Sequence, residues 1–333
     1  MSGPPRPVRR LASWALGVAL FLGTAEVGLR LVDRLGRDPE AARLVSVDGA
    51  TGLAWGADGG SPLHVASDLP GVVYGLRPSA DVFVPGFHRR FVTNALGFRD
   101  RERTHTPPAG VRRVLVLGDS VTFGWQVDGD QTFTARAEAL LRTPDGAPCP
   151  VEILNLGVGG YDTEQEAAVL SAWGPRLSPD LVVVAYVFND HGRGADAGLW
   201  DHFTRSRSRL WDALRKARLR LEAAGTTPDP VTRGLERIAA WLDAAQVPGL
   251  VVAFPPFPVS AEGGPPPQGL VEAARVGLGT LDLAPAYRAA GPGPWSADGL
   301  HPDAAGHEVA ARAVAEAVVE VLGVECGVEE ARP

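Results

Sequence analysis

Between residues 111 and 322 the chain alternates short, mainly apolar runs with segments of helical period. The runs at 111–117, 151–156, 181–188, 250–254 and 280–283 are rich in Val, Leu and Ile, interrupted by Arg112, Arg113, Glu152, Asn155, Thr280 and Asp282, and they read as strands of a largely buried sheet. Between them, apolar residues recur every three to four positions near 132–141, 163–173 and 231–242; in the last, Val231, Leu235, Ile238 and Leu242 share one face. Thr163 and Glu166 have the spacing of a capping box, and a final helix over 303–322 stops at Gly323. Strands alternating with helices predict an α/β fold, a doubly wound parallel sheet covered on both faces by right-handed crossovers. Residues 33–110 are instead punctuated by Gly and Pro, with short extended runs at Val72-Val73-Tyr74 and Phe91-Val92-Thr93. They predict a small β-rich extension before a catalytic-sized domain at 111–324 and a tail at 325–333.

The N-terminus has a different pattern. A basic stretch, residues 1–10 with Arg6, Arg9 and Arg10, precedes an apolar run over 11–32 that is interrupted by Ser13, Thr24, Glu26 and Arg30. This predicts a signal anchor, a transmembrane helix with Glu26 and Arg30 near its outer interface. The alternative is a cleaved signal peptide, since Gly23 and Ala25 have the small-residue spacing of a cleavage site. Either expectation places residues 33 onward outside the cytoplasm, on the periplasmic or extracellular side.

Composition narrows the function classes. A content of 45% hydrophobic and 21% charged residues in 333 is that of a globular chain able to bury a core. The net charge of −7 is spread along the chain, so nucleic acid is not an expected partner. Cys149 and Cys326 are the only cysteines; they offer no metal-ligand spacing and at most one disulfide, and no metal or organic cofactor is implied.

The chemistry collects where strands end. In a doubly wound sheet the carboxyl ends of the strands share one edge, and ligands bind there. The first strand ends in Gly118-Asp119-Ser120, the second in Asn155-Leu156-Gly157-Val158-Gly159-Gly160, and the third in Asn189-Asp190. With strand order 2-1-3-4-5, Ser120 lies between the Gly157 loop and Asn189, so the Gly157 amide, the Asn189 carboxamide and the Ser120 amide are candidate oxyanion donors. Strand five is three strand spacings from strand one, roughly 14–15 Å. The segment 284–298 is therefore read as an arm that brings Asp298 and His301 to Ser120, a histidine base with a carboxylate to orient it.

Gly118-Asp119-Ser120-Val121-Thr122-Phe123-Gly124, Gly157, Asn189-Asp190 and Asp298-Gly299-Leu300-His301-Pro302 resemble, in order and spacing, the four blocks of the SGNH/GDSL hydrolase family over about residues 111–322. The resemblance implies a three-layer, flavodoxin-like fold. It also implies Ser120 as nucleophile, Gly157 and Asn189 in the oxyanion hole with the Ser120 amide, and Asp298 and His301 completing a triad. Val187 stands where the third block usually has glycine. Upstream, Thr93-Asn94-Ala95-Leu96-Gly97-Phe98-Arg99-Asp100 resembles a segment of membrane-anchored bacterial members. The implied activity is a serine esterase acting on a small acyl ester, an acylated cell-envelope carbohydrate or a lipid. The alternatives are an O-acyltransferase that modifies a glycan and a silent glycan-binding module.

Bland roles are expected for several neighbours. Asp119 is read as a helix cap and Asp190 as a loop brace, because an acid beside the nucleophile opposes an oxyanion. His307 is expected to be an ordinary, partly exposed helix residue, His191 a loop residue with substrate contact as its alternative, and Arg99 part of an Arg99–Asp100 turn with binding of an acidic group near the cleft as its alternative. The segment 199–221 carries an apolar stripe of Leu210, Leu214, Ala217 and Leu221 among Arg205, Arg207, Arg209, Arg215, Lys216, Arg218 and Arg220. It reads as a scaffold helix with a solvated basic face, or as an interfacial helix on anionic lipid or an anionic polymer.

Overall fold

The computed structural model describes residues 6–35, 46–48, 54–55, 63–72, 74–84, 89–191, 208, 210–211, 213–214, 229–259, 265–291, 293, 295–296 and 299–329. Five parallel strands form the central sheet: β1 Arg112–Gly118, β2 Val151–Asn155, β3 Leu181–Tyr186, β4 Gly249–Ala253 and β5 Gly279–Asp282. Their spatial order is β5-β4-β3-β1-β2, with Val116 opposite Asn155 and Val183. This is the order expected from the sequence, and it sets Ser120 between the ends of β2 and β3.

The helices are α1 Arg6–Leu35, α2 Ser120–Phe123, α3 Phe133–Leu140, α4 Thr163–Leu177, α5 Pro230–Ala245, α6 Gln268–Arg275, α7 Ala284–Ala289 and α8 Ala304–Leu322. Strand side chains alternate between two cores. Leu115, Leu117, Val182, Val184 and Val251 face α4, α5 and α6, while Val114, Val116, Val183, Ala185 and Val252 face α3, α7 and α8. The capping box of α4 lies one residue earlier than the sequence reading placed it. Asp162 accepts Gln165 N–H at 3.0 Å and the Gln165 side chain accepts Asp162 N–H at 2.9 Å. Thr163 and Glu166 are buried instead.

The extension is antiparallel. Strands Ser46–Asp48, Ala54–Trp55, Asp81–Val84 and Arg89–Val92 make one sheet, and His64–Ala66 pairs with Tyr74–Leu76. Its described apolar residues join the main core: Leu63, Tyr74, Leu76, Phe91 and Phe98 pack with Leu117, Phe123 and Leu156 on the α4 side. At the other terminus Cys149 and Cys326 form a disulfide, Cα atoms 6.1 Å apart, beside the pairing of Gly327–Val328 with Leu141–Arg142.

The N-terminal expectation needs correction. Residues 11–32 do lie in one helix, α1, but no helix among the described residues is long and apolar enough to cross a membrane. Gly17, Gly23, Thr24, Glu26, Gly28 and Arg30 dilute the run, and Arg30 pairs with Glu26 at 2.8 Å. Part of the expected span lies outside the residues whose side chains are described. The same holds for most of the basic segment; Ser208 and Leu210, which are described, donate to Glu26 at 3.1 and 2.8 Å.

Candidate active site

Strand β1 delivers Ser120 as the first residue of α2, a helix of one turn. Asp119 caps it, accepting Val121 N–H at 2.9 Å, and Gly124 closes it in the left-handed region at φ +82. The sheet can approach this turn only because Gly118 lacks a side chain; a Cβ there would lie 2.0 Å from Thr122 Oγ1. Ser120 Oγ stands 2.8 Å from His301 Nε2 and 3.3 Å from Asp119 Oδ2. Ser120 is 6% exposed, so its hydroxyl faces these two acceptors with little competition from solvent. A neutral imidazole at this distance can take the hydroxyl proton.

His301 arrives on the arm after β5, and a set of backbone contacts fixes its approach. Phe257 N–H donates to Gly299 O at 3.0 Å, Gly299 N–H to Ser296 Oγ at 3.0 Å, and Asp303 N–H to Trp295 O at 2.7 Å. Ser296 and Pro302 pair across the arm, and Gly299 occupies φ +83, a conformation that suits glycine. Asp303 then caps α8 through Gly306 N–H at 2.8 Å. Asp298, the expected orienting carboxylate, lies outside the described residues.

The oxyanion candidates separate. The Ser120 amide sits at the N-terminus of α2, where backbone N–H groups have no partner within the helix. The Gly157 amide is engaged: it donates to Asn155 Oδ1 at 2.9 Å. What Gly157 supplies is room, since a Cβ there would lie 2.6 Å from Phe123 N and 2.7 Å from Thr122 Cβ. Further along the same loop Gly160, at φ +81, has an N–H with no hydrogen-bond partner among the described residues. Sequence reasoning passed over it because three glycines in four positions look alike without the geometry. Asn189 lies in the turn Phe188–His191 at the end of β3; its side chain and that of His191 are outside the described residues.

Four carboxylates collect beneath Ser120: Asp119, Asp162, Glu166 and Asp190, all buried. Asp190 Oδ2 accepts Val187 N–H at 3.2 Å, the expected loop brace. Both Glu166 oxygens and Asp190 Oδ1 are buried without a hydrogen-bond partner among the described residues. Burial first, then the charges of Asp119 and Asp162, push Glu166 well above the usual carboxylate range. Burial and the charges of Glu166 and Asp119 do the same to Asp190. Both groups therefore favour the protonated form more than an exposed carboxylate does, which opposes a build-up of negative charge beside Ser120. No group of His, Cys, Asp or Glu among the described residues is arranged to hold a metal ion.

Two neighbours differ from expectation. His307 is buried, not partly exposed: its Nδ1 accepts Phe133 N–H at 3.1 Å, and desolvation lowers its pKa to about 3, so it is a neutral pin between α8 and α3. Arg99 does lie in a bend with Asp100, whose N–H donates to Phe98 O at 2.9 Å, but the two side chains part: Asp100 pairs with Arg103 at 2.9 Å, and the Arg99 guanidinium is buried against the carbonyls that end α2.

The family model described as "GDSL-like Lipase/Acylhydrolase family" matches residues 116–309. Among solved structures, a two-domain esterase active on acetylated mannans, co-crystallized with mannopentaose, is similar at 16% identity and TM-score 0.42, over 66% of this chain and 52% of its own. The chain thus spans about half of that protein. An acetyl xylan esterase from Geobacillus stearothermophilus is similar at 16% identity and TM-score 0.42, over 67% and 97%. A psychrotrophic esterase from Pseudoalteromonas sp. inhibited by monoethylphosphonate is similar at 13% identity and TM-score 0.41, over 64% and 100%. No curated protein sequence matches the chain.

Proposed function

The chain belongs to the GDSL-like lipase/acylhydrolase family, a family of ester-bond hydrolases, and on that premise we propose that it is a serine esterase working through an acyl-enzyme on Ser120. The observation that carries the proposal is the 2.8 Å contact between Ser120 Oγ and His301 Nε2. In the proposed mechanism His301 Nε2 takes the Ser120 proton as Oγ bonds to the ester carbonyl carbon. The carbonyl oxygen becomes an oxyanion near the Ser120 amide, with Asn189 and the glycine loop as further donors. Gly157 can serve there only by releasing Asn155, whereas the Gly160 N–H needs no such exchange. The alkoxide leaves with the proton from His301, and water activated by the same imidazole releases the acid and restores Ser120. Asp298 is proposed to orient the second ring nitrogen, on the strength of the motif it shares with His301.

We propose an acylated cell-envelope carbohydrate or lipid as the substrate class, with the enzyme outside the cytoplasm. The support is Arg6, Arg9 and Arg10 in the first turns of α1, ahead of its apolar stretch, and a disulfide of the kind that persists in oxidising compartments. The proposed role of α1 is to rest against lipid. Trp14, Leu20, Phe21, Val27 and Val32 are each more than half exposed along it, a surface that favours an apolar medium over water. The test gives the full chain an acetyl ester with excess oligosaccharide. Release of mainly free acetate is expected; most acetyl groups appearing on the sugar would make it a transferase.

A further inference from the structure

The segment that carries Ser120 is held from outside the family match, which begins at residue 116. Arg99, in the stretch leading from the extension into β1, is 3% exposed. Its guanidinium donates from Nη1 to Phe123 O at 2.8 Å and to Gly124 O, and from Nη2 to Val127 O at 2.7 Å. Its carbon lies 4.5 Å from the Phe91 ring centre and 5.0 Å from that of Phe123, so one extension ring and one α2 ring flank it. Among the described residues these carbonyls are its only hydrogen-bond partners, and no carboxylate is bonded to it.

A single turn of helix has too few internal bonds to hold its own conformation. The N-terminal end of α2 is fixed by Asp119, and its C-terminal end exposes carbonyls that need donors. Arg99 supplies them with a charge of the sign that suits a helix C-terminus. Gly124 makes the approach possible: its φ of +82 suits glycine, and a Cβ there would lie 3.1 Å from Arg99 Nη1. The extension grips the neighbouring loop as well. Tyr74 Oη donates to Gly159 O at 2.6 Å, and Tyr161 Oη donates to Tyr74 O.

We propose that Arg99 is a positioning residue for the reaction, fixing the turn that aims Ser120 at His301, so that the extension belongs to the catalytic machinery. The inference rests on the esterase reading above. Lysine is a poor substitute, because an ammonium cannot fork to three carbonyls while lying flat between two rings.

The test compares full-length parent, Arg99→Lys and Arg99→Gln, each at a temperature where circular dichroism shows it folded. Steady-state hydrolysis of an activated acetyl ester and the rate of fluorophosphonate labelling of Ser120 are measured. Both Arg99 variants should lose on the order of 10–100-fold in kcat and in labelling rate, with KM changed less than about threefold. An Arg99→Lys protein matching the parent in kcat and labelling rate would overturn the proposal alone. So would failure of both Arg99 variants to fold, since Arg99 would then hold the fold and not the site. A folded but inert, unlabelled parent would refute the esterase reading and this inference with it.

Discussion

The Asn155 carboxamide ties Gly157 to the Ser120 helix: its Oδ1 accepts the Gly157 N–H at 2.9 Å while its Nδ2 donates to Thr122 O at 2.7 Å. Both partners are buried backbone groups, so neither can turn to water if the side chain is removed. Asn155→Ala should therefore cost about 1–3 kcal/mol for each group left unpaired, read as a shift in the urea midpoint. A shift equivalent to less than about 0.5 kcal/mol would mean that the loop finds other partners.

Glu166 is a pH-dependent liability. Because burial raises its pKa in the folded state, the stability it allows is complete below its unfolded value, about 4.3, and is lost as the pH rises through the folded one. Glu166→Gln abolishes that ionisation at almost the same shape. The variant should gain melting temperature relative to the parent at pH 8.5, with a smaller gain at pH 5. Equal differences at both pH values would contradict the burial argument.

His307 acts in the opposite direction. Desolvation lowers its pKa to about 3, so its contribution is present above its unfolded value of about 6.5 and is lost as the pH falls toward 3. Each such histidine adds about 1.4 kcal/mol per pH unit to the acid slope. His64, lowered to about 3 by burial, adds a second. Replacing His307 with Phe should flatten the dependence of unfolding free energy on pH between 6.5 and 4 by about one proton. An unchanged slope would place the titration elsewhere.

The disulfide closes a loop of 177 residues. Cys149→Ser with Cys326→Ser should cost about 2–5 kcal/mol. Reductant should lower the parent's melting temperature toward that of the double variant and leave the variant unmoved. A parent insensitive to reductant would show that the cysteines are not paired in solution.

The sheet is legible because its strands are mainly apolar runs alternating with helical segments, and the strand order sets Ser120 beside the Gly157 loop. The approach of His301 was legible for a similar reason: a strand end and an arm leave few ways to join residues 181 positions apart. The assignment of hydrogen bonds was not. Whether Gly157 offers its amide or only its missing side chain depends on where the Asn155 carboxamide points, and Asp162 displaced Thr163 as the α4 cap by a single residue. His307 and Arg99 were misread because a lone polar residue carries no periodic signal that its side chain is buried. A transmembrane helix over 11–32 is expected from its apolar count with Glu26 and Arg30 at one interface, but its glycines and charges leave no helix among the described residues apolar enough to span a membrane.

The central claim is that Ser120 attacks the ester carbonyl with His301 as its base, and covalent labelling tests it directly. Intact-mass spectrometry of the full-length protein treated with a fluorophosphonate should show one adduct, mapped to Ser120 after digestion. The adduct should be absent from Ser120→Ala and greatly slowed in His301→Ala, whose loss of the 2.8 Å partner leaves the hydroxyl without its base. A Ser120→Ala protein that labels as the parent does, or a His301→Ala protein that labels at the parent's rate, would contradict the account.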